Sequence, residues 1–277
     1  MKKKLLVAAI ATGLMATAIT GCGSSSAGEK ESLSGTIKLA GSTSMEKLCE
    51  AMSESFMEKN DGVTVTVEYT GSGAGLESLA KAAVDIGSAS RGLKDTEKEN
   101  GLVENVVAND GIAVISDKNN SVKDVSGDEL VKVYTGEIKN WKELGGEDEA
   151  IVVIGRESCS GTRDAFEELL KVKDKCQYAQ ELDSTGAVLA KVAATPGAIG
   201  YVSLDVVDAT VTALKINGVD ASEKEILAGN YLLQRPFVMA TKGEIKEQNA
   251  LVQAWFEYVR SEEGKAVIKK AGLIVPQ

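Results

Sequence analysis

Ile37-Lys38-Leu39-Ala40 runs directly into Gly41-Ser42-Thr43-Ser44-Met45, and from there a helical pattern continues to Lys59. An apolar run, a turn of glycine and small hydroxyl residues, and a helix follow one another without a linker. The same order recurs. Val65–Tyr69 leads into Thr70-Gly71-Ser72-Gly73-Ala74-Gly75, and Asp85-Ile86-Gly87 into Ser88-Ala89-Ser90-Arg91. Residues 151–155 lead into Arg156-Glu157-Ser158-Cys159-Ser160-Gly161-Thr162, which opens a helix over 161–172. Further strands are expected at 63–69, 84–88, 102–108, 112–116, 198–202, 211–216 and 236–240. Further helices are expected at 75–82, 95–100, 128–134, 186–194, 246–259 and 261–271. In 246–259, Leu251, Trp255, Phe256 and Val259 recur near the 3.6 period and face a core. Alternating strands and helices predict an α/β fold with largely parallel sheets.

The turns favour an anion. A helix N-terminus leaves its first N–H groups without partners inside the helix, and the macrodipole places about half a positive charge there. Glycine lets a ligand approach the backbone, and Ser and Thr add donors without bulk. Any one such turn is also explained as an N-cap, worth about 0.5–2 kcal/mol to the helix. Several of one grammar, one preceded by Arg156 with its planar fork of donors, point to an oxyanion site at the carboxyl ends of the strands.

Composition removes most enzymatic readings. The chain has 277 residues, 31 Lys or Arg against 41 Asp or Glu, and no His. Without histidine there is no Ser-His-Asp or Cys-His machinery and no ordinary zinc site, and no metal or cofactor is implied. An acidic chain without a basic block is a poor ligand for nucleic acid. Cys49, Cys159 and Cys176 follow the N-terminal region; 159 and 176 could pair, or all three could be free thiols.

Lys2-Lys3-Lys4, an apolar run to Ile19 and the ending Ile19-Thr20-Gly21-Cys22 read as a secretory signal over 1–21. Its last four residues resemble the lipobox of bacterial lipoproteins, which implies a diacylglyceryl group on Cys22 and a location on the outer face of the cytoplasmic membrane. Residues 22–33, small and polar, read as a flexible tether. Only three prolines are present and no linker marks a domain boundary, so two domains would be joined by strands crossing directly, with 111–116 and 233–240 the candidates.

Over roughly 35–275 the chain resembles the phosphate-binding lipoproteins and periplasmic proteins that feed the phosphate ABC transporter. The segments that carry the resemblance are Gly41-Ser42-Thr43, Gly71-Ser72-Gly73, Asp85-Ile86-Gly87…Ser90-Arg91 and Arg156…Ser160-Gly161-Thr162-Arg163-Asp164. Ser184-Thr185-Gly186-Ala187-Val188 and Gly197-Ala198-Ile199-Gly200-Tyr201-Val202 also match. The resemblance implies a two-domain, type II periplasmic-binding-protein-like fold that closes on phosphate, with 34–112 plus 235–277 as one domain and 113–234 as the other. It implies ligand contacts from Thr43, the Ser44 N–H, Ser72, Ser90, Arg91, Arg156, Ser160, Gly161 and Thr162. Where well-known members carry an Asp that accepts the proton of phosphate, this chain has Ser90, so selection against sulfate rests on Ser90 or on a carboxylate such as Asp110 or Glu157. The expected partners are inorganic phosphate, a membrane permease and the membrane itself through Cys22, with the protein monomeric and not an enzyme. Receptors for sulfate or molybdate, a secreted phosphatase and a non-transport surface lipoprotein remain alternatives.

Overall fold

The computed structural model of the chain describes residues 33–276. The expected signal segment 1–21, Cys22 and all of the expected tether but Leu33 lie outside the described residues. Leu33 itself packs against the first hydrophobic core.

In β1 (Ser34–Gly41), Ile37 and Leu39 point inward while Thr36 and Lys38 face water, the period of a strand buried on one face. In α1 (Glu46–Lys59), Leu48, Cys49, Met52 and Phe56 form the buried stripe. There follow β2 (Gly62–Glu68), α2 (Ser72–Ala80), β3 (Ile86–Ala89), α3 (Asp95–Glu99) and β4 (Leu102–Val103). The long β5 (Val106–Asp117) leads to β6 (Asp124–Val125), α4 (Gly127–Tyr134), β7 (Val152–Arg156), α5 (Gly161–Leu169), β8 (Gln180–Leu182) and α6 (Thr185–Ala194). Next come β9 (Ala198–Ser203), β10 (Val211–Ala213), β11 (Lys215–Ile216) and α7 (Glu223–Leu227). The chain returns through β12 (Gln234–Lys242) to α8 (Ala250–Arg260) and α9 (Glu262–Lys270).

The larger sheet has ten strands in the order β2-β1-β3-β12-β5-β9-β7-β8, with β4 on β12 and β10 on β5; β6 and β11 pair separately. β1 is parallel to both β2 and β3, and β7 to both β8 and β9, as strand–helix alternation predicts. β5 and β12 run antiparallel to each other, and both are antiparallel to their outer neighbours β9 and β3. The sheet is therefore mixed rather than largely parallel: one strand carries the chain out of the first lobe, and the other brings it back.

Two sets of cores flank these strands. Phe56, Trp255 and Phe256 meet Ile37 and Leu39 in one, with Leu76, Leu79 and Val238 clustered nearby. Tyr134, Trp141, Phe166 and Tyr201 meet Ile112 and Val114 in the other, where the Phe166 and Tyr201 rings stack at 4.2 Å. Ile154, Val188 and Val192 pack on the far face of that lobe.

Several boundaries move. The expected strands 102–108 and 112–116 form β4 and one continuous β5, because Asn109-Asp110-Gly111, which reads as a turn, is paired in the ladder with Pro236, Arg235 and Gln234. The expected helix 75–82 starts at Ser72, with Gly71 as its N-cap at φ +86°. The expected helix 246–259 begins at Ala250, where the Asn249 side chain accepts from the Val252 N–H.

Candidate functional site

The glycine–hydroxyl turns converge where β5 and β12 cross between the lobes. After β1, Ser42 caps a short turn over Thr43–Met45, its Oγ accepting from the Ser44 N–H at 3.2 Å. That N–H, expected to face a ligand, is thus taken within the turn, and the Ser44 hydroxyl points onward instead. It lies 2.8 Å from Thr162 Oγ1 and 2.7 Å from Thr185 Oγ1. Thr43 Oγ1 is 3.2 Å from Thr185 Oγ1 and accepts from the Thr185 N–H. Thr162 Oγ1 lies 3.4 Å from Ser90 Oγ, which lies 3.4 Å from Ser72 Oγ. A continuous chain of hydroxyls therefore runs Thr43–Thr185–Ser44–Thr162–Ser90–Ser72, and every member is buried. Thr43, Ser44, Ser72 and Ser90 stand on the first lobe, Thr162 and Thr185 at the N-termini of α5 and α6 on the second.

Gly161 opens α5 at the point where the lobes touch. A Cβ there would overlap Ser72 Oγ and lie 2.8 Å from Ser72 Cβ and 2.9 Å from Ser90 Oγ. Close by, the Gly73 N–H donates to the Cys159 carbonyl at 3.0 Å. Ser160 caps α5 through a 3.3 Å bond from the Arg163 N–H, which leaves it outside the hydroxyl chain.

Arg156 ends β7 beneath this chain, 2% exposed. Its Nη1 donates to Thr185 Oγ1 at 3.1 Å, Nε to the Leu182 carbonyl at 3.2 Å and Nη2 to the Asp183 carbonyl at 3.0 Å. Among the described residues it pairs with no carboxylate. Burial pushes its pKa down from the usual arginine value. A buried guanidinium held only by neutral acceptors, beneath a shell of hydroxyls and helix N-termini, is suited to receive an oxyanion.

Two expected ligands sit elsewhere. Arg91 faces acids: its Nε donates to Asp164 Oδ2 at 2.8 Å, and Nη1 and Nη2 each meet Glu97 at 2.8 Å. Burial alone would lower its pKa, but Glu97 and Asp164 outweigh burial and hold it above the usual value. Arg91 thus pairs across the lobes with Asp164, the fourth residue of α5, and makes no hydrogen bond to the hydroxyl chain. Asp110 is not a free acceptor at the cleft either. It is fully buried, and one oxygen, Oδ2, accepts from Arg235 Nε and Nη2 and from Ser203 Oγ. Glu157 Oε1 takes the Cys159 thiol at 3.0 Å.

Two residues were not expected. Thr185 follows the same strand, hydroxyl turn and helix order, so a local signal for it existed. Arg235 carries none, since its relation to the site depends on the register of β12 against β5 and β3. Cys49, Cys159 and Cys176 are free thiols; burial raises Cys49 to about 12 and Cys159 to about 11. Among the described residues no three His, Cys, Asp or Glu are placed to hold a metal ion, and no helix is long and apolar enough to cross a membrane.

Residues 26–263 match a family profile described as the PBP superfamily domain. The phosphate-binding protein PstS of Bacillus subtilis is 35% identical over 289 residues, covering 99% of this chain and 95% of its own length. A solved structure from Clostridium perfringens, described as a phosphate ABC transporter substrate-binding protein with bound phosphate, superposes with a TM-score of 0.82 at 37% identity. It covers 88% of this chain and 100% of that one. An ABC-type phosphate transport receptor from Vibrio cholerae gives a TM-score of 0.74 at 30% identity, covering 87% and 100%.

Proposed function

The chain belongs to the PBP superfamily, and on that footing we propose that it is an extracytoplasmic receptor that binds inorganic phosphate between its lobes and presents it to an ABC-type importer. The observation that carries this reading is Arg156, buried and without a carboxylate among the described residues, under a chain of hydroxyls drawn from both lobes. Leaving a buried cation without a counter-charge is costly, and a tetrahedral anion supplies that charge together with acceptors for each surrounding donor. Thr43, Ser44, Ser72, Ser90, Arg156, Gly161, Thr162 and Thr185 are the proposed contacts, with Ser160 holding α5 in register. The lobes, 34–112 with 235–277 and 113–234, close over the ligand across β5 and β12.

Nothing in the proposed site does covalent work. The chain has no histidine, and the thiol nearest the cleft, Cys159, is pushed up to about 11, away from the thiolate. The ligand is accordingly returned intact, and incubation with a generic phosphate ester is expected to give no turnover. Attachment at Cys22 by a lipid, with the protein otherwise monomeric, completes the reading; metabolic labelling with a fatty-acid analogue is expected to mark the wild type and not Cys22→Ala.

Titration calorimetry with phosphate and sulfate near neutral pH tests the central claim. Phosphate is expected to bind and sulfate to bind far more weakly. Equal binding would move the reading to a general oxyanion receptor, and absence of binding to either would overturn it.

A further inference from the structure

We propose that Arg235, held by Asp110, is a positioning residue of the anion cleft that acts through Ser90. This rests on the phosphate-receptor reading of the same cleft and names a part of it that touches the hydroxyl chain only at the backbone carbonyl of Ser90.

Arg235 and Asp110 face each other in the β12–β5 register, on the two strands that cross between the lobes. Their side chains are each 1% exposed, and Nε and Nη2 reach Asp110 Oδ2 at 3.0 and 2.8 Å. Ser203, on β9 of the second lobe, donates to the same oxygen at 2.7 Å. The remaining arm, Nη1, donates to the Ser90 carbonyl at 3.2 Å. Ser90 follows β3 directly, and β3 is the other neighbour of β12.

Ser90 is thereby held at both ends: its N–H donates to Ser72 Oγ at 3.2 Å, and its carbonyl accepts from Arg235. With both backbone groups engaged, its hydroxyl is aimed between Ser72 and Thr162. A run of contacts from Ser203 through Asp110 and Arg235 to Ser90 thus sets a first-lobe hydroxyl relative to the second lobe. Asp110 neutralises Arg235, so the contribution is geometric and Arg156 remains the charge that meets the anion. A buried ion pair is weak as a source of stability, since apolar residues of similar volume serve as well or better, whereas its fork of donors fixes direction.

The test is a double-mutant cycle on the purified full chain, read by phosphate calorimetry with thermal melts as the check on folding. Arg235→Lys keeps the charge beside Asp110 and loses the fork. Phosphate affinity is expected to fall about tenfold in the wild-type background and by less than about twofold in Ser90→Ala, a coupling of the kind seen between contacting residues. Equal losses in both backgrounds, or wild-type affinity in Arg235→Lys, overturn the proposal. Should Arg235→Lys fail to fold, the apolar pair Asp110→Leu/Arg235→Met replaces it, with the same loss expected; retained wild-type affinity there, or failure of that variant to fold as well, assigns the pair to structure alone and overturns the proposal. Wild-type protein that binds no phosphate would instead sink the receptor reading.

Discussion

Arg156 and Arg91 are both buried arginines at the meeting of the two lobes, and they have opposite surroundings. Arg91 has its charge matched inside the protein by Glu97 and Asp164, and Lys94 joins Asp164 at 2.7 Å. Arg156 has carbonyls and a threonine hydroxyl, which accept hydrogen bonds without cancelling charge. The pKa directions follow: burial lowers Arg156, while the carboxylates hold Arg91 up. A cation already paired has little left for a ligand, whereas one held only by neutral acceptors keeps its charge for an anion. Residue type does not distinguish the two arginines. The partners decide.

The most severe way to break this comparison is Arg156→Gln. Phosphate affinity is expected to fall about a thousandfold, the size of a charge-assisted network lost from a buried site, and near-normal binding by titration would show that Arg156 is not the counter-charge. Asp205 offers the acidic counterpart of Arg156. Among the described residues both its carboxylate oxygens are buried without a hydrogen-bond partner, and burial, with Asp110 nearby, raises its pKa to about 6. Lys47 Nζ, from α1, reaches only its carbonyl at 3.2 Å. Because the folded value lies above that of an unfolded aspartate, the folded state binds the proton more tightly, and stability falls as pH rises from about 4 to 6. Asp205→Asn is expected to be more stable than wild type by ~3 kcal/mol at pH 7.5, with the difference vanishing near pH 4. Melting curves across that range that stay parallel would count against an unpaired buried charge.

Gly161→Ala sharpens the comparison from the steric side, because the added methyl meets Ser72 across the cleft. Phosphate affinity is expected to drop about thirtyfold with little change in melting temperature, overpacking of this kind costing 1–3 kcal/mol or so; unaltered affinity would mean that the lobes need not approach this closely. The smallest effect is expected for Asp164→Asn, which loosens Arg91 and leaves the hydroxyl chain intact. A loss of about fivefold in affinity, in the range of a partly exposed ion pair, separates a cross-lobe latch from a ligand. A loss as large as that of Arg156→Gln would place Arg91 in the binding site after all.

Much of the hydroxyl cluster was legible locally. Thr43, Ser44, Ser72, Ser90, Gly161 and Thr162 all lie in strand–turn–helix segments, where a glycine or hydroxyl residue before a helix exposes donors whatever the rest of the chain does. Thr185 obeys the same rule. Arg156 stood out because it ends a strand just before such a turn. The contacts that local reading did not show all depend on partners distant in sequence. Arg91 looked like a ligand until Asp164, 73 residues away, took its Nε. Asp110 looked like a strand-end acceptor until Arg235, 125 residues away, was set opposite it. The parallel expectation failed at β5 and β12, whose direction follows from which lobe the chain is leaving.

The sequence by itself determined an α/β chain with donor-rich helix N-termini and no histidine chemistry, because periodicity, capping and composition act over a few residues. Only the tertiary structure decided which of Arg91 and Arg156 is left without an acid among the described residues, and which hydroxyls meet across the cleft. Burial and charge pairing are properties of neighbours in space, and strand register is what makes Asp110 and Arg235 neighbours.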